Sequence, residues 1–296
     1  MKPIKHIKVD KEMKVSDLVD SMGKIGFGAR KINEASQILK EMLDDKECNI
    51  FLGVAGAMVP GGMKQVLMDM LDFTSVFVTT GANLTHDLME SLGENHYIGE
   101  ENIDDKKLHD EEIDRIYNVF MKNQVYTKLE KFFEDNWSEL EKTKNIKEFL
   151  WKLGELCPGP GILKKCWEKK IPIFCPAIAD SGIGLMIWGR KVAGKNIDID
   201  AFEDMKEIID LAWTSKKSGV IYVGGGTPKN FIQQSLQFSK GANYGIQIST
   251  DRPEPGGSSG APLREGISWG KMNEKAKFVD VFCDATIALP LILSRI

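Results

Sequence analysis

Six short apolar, β-rich runs are spaced along this chain with helix-period segments between them, and that alternation restricts its fold more than any other feature. The runs cover 49–54, 75–79, 171–176, 219–223, 244–249 and 278–283, and the helix-period segments cover 66–71, 84–92, 113–122, 146–153, 201–213 and 231–238. Strands alternating with helices build βαβ units, which place parallel strands side by side under helical layers. The expected fold class is therefore α/β, a mainly parallel sheet with helices on both faces. Ahead of it, Phe27, Ile32, Ala35, Ile38, Leu39 and Leu43 are apolar at spacings that share one helix face. We read an N-terminal helical extension over 1–45 and one α/β domain over 46–296.

Acids and bases are mixed along the chain, 43 against 39, for a net charge of −4. A nucleic-acid partner would call for a basic excess, and there is none. The stretch 100–114, rich in acids and lysines, reads as a solvated loop and helix start. No uninterrupted apolar stretch approaches the roughly 18 residues of a membrane span, and the charged N-terminus has no apolar core of a signal peptide, so a soluble cytoplasmic protein is expected. The five cysteines, Cys48, Cys157, Cys166, Cys175 and Cys283, form no CxxC pair or Cys/His cluster. Reduced thiols and no metal site are expected.

Glycine-rich turns follow four of the strands, at 53–62, 79–83, 180–184 and 224–228. In an open parallel sheet ligands sit beyond the carboxyl ends of the strands. Backbone N–H groups approach a phosphate closely only where no Cβ intrudes, and a helix N-terminus adds a favourable dipole. Gly224, Gly225 and Gly226 fit that role, although such a turn is also a common tight βα connection. The richest segment is 251–271, DRPEPGGSSGAPLREGISWGK. Its proline- and glycine-rich part reads as a flexible loop, and Glu265, Trp269 and Lys271 cluster behind it. An indole can stack on a cationic amine and a carboxylate can pair with it. A lysine held in an apolar or cation-rich pocket becomes an imine-forming nucleophile. From composition alone, a surface lysine after a turn is the commoner occurrence.

Glu265-Gly266-Ile267-Ser268-Trp269-Gly270-Lys271 resembles the active-site signature of the deoxyhypusine synthases, E-A-x-S-W-G-K. Five further blocks resemble that family in order: FLGVAGAMVPGG (51–62), VTTGANLTHDL (78–88), FCPAIADSGIG (174–184), YVGGGTPKNFI (222–232) and FCDATIALPLIL (282–293). The resemblance implies a Rossmann-like catalytic domain, NAD as cofactor and a homotetramer with active sites at dimer interfaces. It implies that spermidine, or a related polyamine, is oxidised to an imine that sheds 1,3-diaminopropane. The 4-aminobutyl unit then passes through an imine on a lysine to a lysine of the hypusine-bearing translation factor. Some relatives use putrescine as acceptor. Position by position, it makes Lys271 the nucleophile, Trp269 the wall against the polyamine and Glu265 the amine-binding acid. Asp180 serves both polyamine and cofactor, and Thr80, Gly81, Ser259 and Asp284 match cofactor contacts.

Three polyamine-pocket positions depart from the eukaryotic-type pattern. Leu185 and Ser258 stand where acids are expected, and Phe231, with Asn230 before it, replaces the histidine expected after the GGGxxK run. Each desolvated charge pair so lost could weaken amine binding by roughly 1–3 kcal/mol. Those departures leave the identity of donor and acceptor open.

Overall fold

The computed structural model describes residues 1–296. In chain order the elements are α1 (Val15–Met22), α2 (Phe27–Asp44), β1 (Cys48–Val54), α3 (Lys64–Met70), β2 (Val76–Thr79), α4 (Gly81–Ser91), β3 (His96–Ile98), α5 (Asp105–Asp110), β4 (Ile113–Ile116), β5 (Val119–Lys122), α6 (Val125–Leu140), α7 (Ile146–Leu156), α8 (Ile162–Lys169), β6 (Ile173–Phe174), α9 (Gly182–Val192), α10 (Ala201–Thr214), β7 (Lys217–Val223), α11 (Gly226–Leu236), β8 (Ala242–Ser249), β9 (Met272–Phe282) and α12 (Ala285–Leu293). The main sheet has six strands in the order β6-β2-β1-β7-β8-β9, parallel at the β1/β7, β7/β8 and β8/β9 pairings. No helix is long and apolar enough to cross a membrane.

The chain divides into two compact units. The first comprises Met1–Ala55, Phe73–Val78 and Met205–Ile296, and the second Gly56–Asp72 and Thr79–Asp204. In the first unit β1 and β7 read as continuous apolar runs because both of their faces are covered. Phe51, Leu52, Val54, Val220, Tyr222 and Val223 are at most 1% exposed. Two glycines show which helices cover which face. A Cβ on Gly219 would meet Met42 of α2 at 2.6 Å, and one on Gly53 would meet Ile232 of α11 at 3.0 Å. Gly219 pairs in register with Ile50, an odd number of residues from Gly53, so the two glycines face opposite sides of the sheet. Hence α2 lies on one face and α11 on the other. The N-terminal helices belong to this unit: α2 buries Ile32, Ala35, Ile38 and Leu39, and the Asn33 amide donates to the Val19 carbonyl at 3.0 Å, tying α2 to α1.

In the second unit α4 acts as a strut, because three of its polar side chains are turned inward on neighbouring backbone. Asn83 Oδ1 accepts from the Met58 and Val59 N–H groups at 3.1 and 3.3 Å. Thr85 Oγ1 accepts from Ile183 N at 3.1 Å, inside the first turn of α9. Asp87, wholly buried, accepts from Ile162 N and Leu163 N at 2.8 and 2.9 Å and so caps α8. Each bond satisfies a donor that a helix start or loop would otherwise bury unpaired.

The structure corrects one element. Residues 113–122, expected to be helical, form the hairpin of β4 and β5, with β3 on the other edge of β5. Ile113, Ile116 and Phe120 imitate a helical spacing by chance. The reversal at Tyr117, which takes φ 54°, and Asn118 sets the strands instead.

Candidate active site

The segment 263–271 shows why a glutamate, a tryptophan and a lysine at this spacing meet. Residues Leu263–Ile267 make a short 3-10 helix, closed where Ser268 donates through N and Oγ to the Glu265 carbonyl at 3.2 and 2.9 Å. Gly270 then takes φ +68°, a conformation that side chains rarely adopt, and turns the chain into β9. Lys271 is pinned from both sides: its N–H donates to the Gly266 carbonyl at 2.8 Å, and its carbonyl accepts from Ala242 N at 3.0 Å. Its Nζ lies 5.0 Å from the centroid of the Trp269 ring, within cation–π range. Glu265, Trp269 and Lys271 line one cavity of about 330 Å³ together with Lys229, Asn230, Ser258, Ala261 and Pro262.

Two of the departures noted in the sequence take on meaning here. Asn230, and not Phe231, faces this cavity, while the Phe231 side chain is 8% exposed in the packing of α11. Ser258 also lines it, which leaves Glu265 as the single carboxylate among the lining residues. Leu185 lies in the second unit, exposed on α9.

Lys229 is a site residue that the sequence reading missed. It lies in the first turn of α11 and is only 1% exposed, and its Nζ donates to the carbonyls of Ser258 and Ala261, both at 2.6 Å. Burial pulls its pKa down to about 8, Lys271 pushes in the same direction, and the charges of Asp280 and Glu265 oppose them. The available signal was a lysine three residues after the glycine turn, between Pro228 and Asn230.

The expected cofactor residues occupy both units. In the first, Gly224 and Gly226 take φ +73° and +55°, and Gly225 begins α11 with no side-chain cap. A Cβ on Gly225 would lie 2.2 Å from Ser259 Cα, so the turn and the serine are in direct contact. Asp284 follows β9 and caps α12, accepting from Thr286 N and Oγ1 at 2.7 and 2.6 Å. Because β7 and β9 run parallel through β8, the glycine turn and Asp284 follow carboxyl ends on the same edge of the sheet. In the second unit Thr80 caps α4 through Asn83 N at 3.3 Å. Gly81 is buried so close to Ser181 that a Cβ would meet its side chain at 2.5 Å, and exposed Asp180 adjoins that serine. An uncapped helix N-terminus behind a side-chain-free turn suits a phosphate, and a carboxylate at a strand end suits ribose hydroxyls, so Gly224–Gly226 and Asp284 of the first unit fit a dinucleotide.

The family model for deoxyhypusine synthase matches residues 17–296. "Probable deoxyhypusine synthase 1" of Archaeoglobus fulgidus is 42% identical over 287 residues, 96% of this chain and 94% of that protein. The protein of the same description from Methanosarcina mazei is 42% identical over 299 residues, 99% of this chain and 94% of its own length. Among solved structures, a "putative deoxyhypusine synthase from Entamoeba histolytica" aligns with a TM-score of 0.66 at 21% identity, covering 99% of this chain and 96% of that one. That last likeness speaks for the fold alone.

Proposed function

Because the chain belongs to the deoxyhypusine synthase family of transferases, we propose that it transfers the 4-aminobutyl group of spermidine, through an imine on Lys271, to a lysine of the hypusine-bearing translation factor. The observation that carries this reading is the single cavity lined by Glu265, Trp269 and Lys271, with Lys271 Nζ 5.0 Å from the indole centroid.

Each side chain has a definable part. Glu265 neutralises an ammonium of the bound polyamine, and Trp269 lines its methylene chain while attracting a neighbouring cationic end. Lys271 adds through Nζ to the imine carbon of oxidised spermidine and expels 1,3-diaminopropane, which carries away the proton that Nζ gives up. The acceptor lysine then displaces Lys271 by the same exchange. Gly224–Gly226 and the N-terminus of α11 would hold the cofactor phosphates, Ser259 stands against that turn, and Asp284 would take ribose hydroxyls. Thr80, Gly81 and Asp180 would contact the cofactor in the second unit, as the family resemblance implies. NAD bound there would supply the two-electron chemistry, as hydride acceptor and then hydride donor within one cycle. The reading carries a cytoplasmic homotetramer with it, to be checked by light scattering.

A second reading rests on the lone carboxylate of the cavity. With Ser258 and Asn230 beside Glu265, the cavity offers one carboxylate, which suits a small doubly charged amine such as putrescine as the acceptor and so favours a polyamine synthase of the homospermidine-forming kind. The test is the product mass when spermidine and NAD are supplied with the translation factor or with putrescine. Aminobutyl transfer to neither would overturn both readings.

A further inference from the structure

The segment 251–262 has no helix or strand of its own, yet part of it forms a wall of the cavity, through Ser258, Ala261 and Pro262. Three side chains from three elements hold the backbone of this segment and of Leu263, which follows it. Lys229 of α11 donates to the carbonyls of Ser258 and Ala261 at 2.6 Å each. Gln247 of β8 donates to the Ala261 carbonyl at 3.1 Å and to that of Ser259 at 3.5 Å. Asp280 of β9 accepts from Leu263 N at 3.0 Å. Gln247 and Asp280 are register partners on adjacent strands, so the sheet itself fixes their spacing.

We propose that Lys229, Gln247 and Asp280 are positioning residues that clamp segment 258–263 as a rigid lip of the amine cavity, and that the clamp sets how tightly the amine is held. Lysine is a costly way to fill this site. Burying its ammonium carries a desolvation penalty that an apolar side chain of the same length would avoid. What an apolar side chain lacks is the donors. Ser258 and Ala261 would lose them, and a glycine-rich loop without ladder bonds would be left to fluctuate. The Asp280 carboxyl attracts the Lys229 charge, and its own pKa is raised by burial. Lys229 therefore couples the first turn of α11, against which Ser259 is packed, to the wall facing Lys271. A shift of the lip would displace the amine from Trp269 without removing any group that reacts.

The effect on amine binding rests on the reading of the cavity given above, whereas the clamp can be tested without it. Hydrogen exchange is followed in the full chain for wild type, Lys229→Met, Gln247→Met and Asp280→Asn. We expect amides of 258–263 to exchange at least tenfold faster in Lys229→Met, less so in the other two, with β7 and β8 amides unchanged. In steady state with NAD and the acceptor, KM for spermidine should rise about tenfold in Lys229→Met and kcat should move less than threefold. Unchanged exchange in the lip, or acceleration spread evenly over β7 and β8, would overturn the clamp. A faster lip with unchanged KM would overturn its role in holding the amine. If Lys229→Met does not fold, Gln247→Met and Asp280→Asn decide the same question through the same two measurements. If the wild type turns over no spermidine, the functional reading fails and the exchange data still judge the clamp.

Discussion

Lys271 Nζ lies 5.0 Å from the centroid of the Trp269 ring, and the two residues are separated only by Gly270 at φ +68°. That turn brings an indole face and an amine together across two positions of sequence. Lys271→Arg keeps the positive charge but cannot form an imine, since a guanidinium stays protonated. It should still bind NAD and lose aminobutyl transfer by several orders of magnitude. Borohydride trapping with spermidine and NAD should add an aminobutyl mass to the Lys271 peptide of the wild type only. Wild-type transfer by the variant, or a trapped mass elsewhere, would exclude the mechanism. Trp269→Ala should raise KM for the amine roughly threefold to thirtyfold, the equivalent of about 0.5–2 kcal/mol of cation–π attraction.

Gly225 is where a methyl group does the most damage in the glycine turn after β7. Its added Cβ would stand 2.2 Å from Ser259 Cα, a backbone atom that cannot swing aside. Gly225→Ala should weaken NAD binding measured by calorimetry and lower stability by about 1–3 kcal/mol, as overpacking does. Gly189, inside α9 with open space around its Cβ, is the control, and Gly189→Ala should stabilise by about 0.5–1 kcal/mol. Equal effects of the two substitutions would contradict the close approach.

Asp87 is wholly buried, caps α8 through Ile162 N and Leu163 N, and lies 3.2 Å from Lys64 Nζ. Asp87→Ala removes both acceptors and leaves Lys64 with Glu90, 3.4 Å away, as its remaining carboxylate partner. We expect a loss of about 3–5 kcal/mol in urea unfolding, the cost of breaking one half of a buried ion pair. Asp87→Asn, which keeps an acceptor, should cost clearly less.

His86 Nδ1 faces His96 Nε2 at 2.9 Å, and His96 Nδ1 in turn faces Glu90 at 2.8 Å. Burial first, and the charge of His96 second, lower the His86 pKa to about 4 from 6.5, while Glu90 pulls the other way. Between those values the unfolded chain binds a proton that the folded chain does not. Stability from His86 is therefore complete above pH 6.5 and is lost as the pH falls towards 4, by up to about 3 kcal/mol. Asp87, its pKa raised by burial, works in the opposite sense, so the comparison must be with a variant. The drop in urea midpoint from pH 7 to pH 4.5 should be smaller in His86→Leu than in wild type. An identical drop would remove His86 from the acid response.

Much of this architecture was readable because β1 and β7 are buried on both faces and must be apolar throughout, which leaves an unbroken run in the sequence. The hairpin of β4 and β5 was misread for a related reason. Its residues are only half-buried, so no strict alternation marks them, and spacing alone suggested a helix. Lys271, Trp269 and Glu265 were legible because one short turn carries all three. Lys229 was not, since its partners are backbone carbonyls 29 and 32 residues onward, and no side-chain pattern announces a carbonyl. Asn83, Thr85 and Asp87 were overlooked likewise, because their work is to cap elements remote in sequence.

The pairing of β1 with β7 joins Val54 to Val223 across 169 positions of chain, and β8 and β9 follow later still. During synthesis at roughly 5–20 residues per second, β1 therefore emerges on the order of ten seconds or more before its β7 neighbour exists. Through that interval an apolar strand waits with an edge unsatisfied, the condition under which nascent chains adhere to one another.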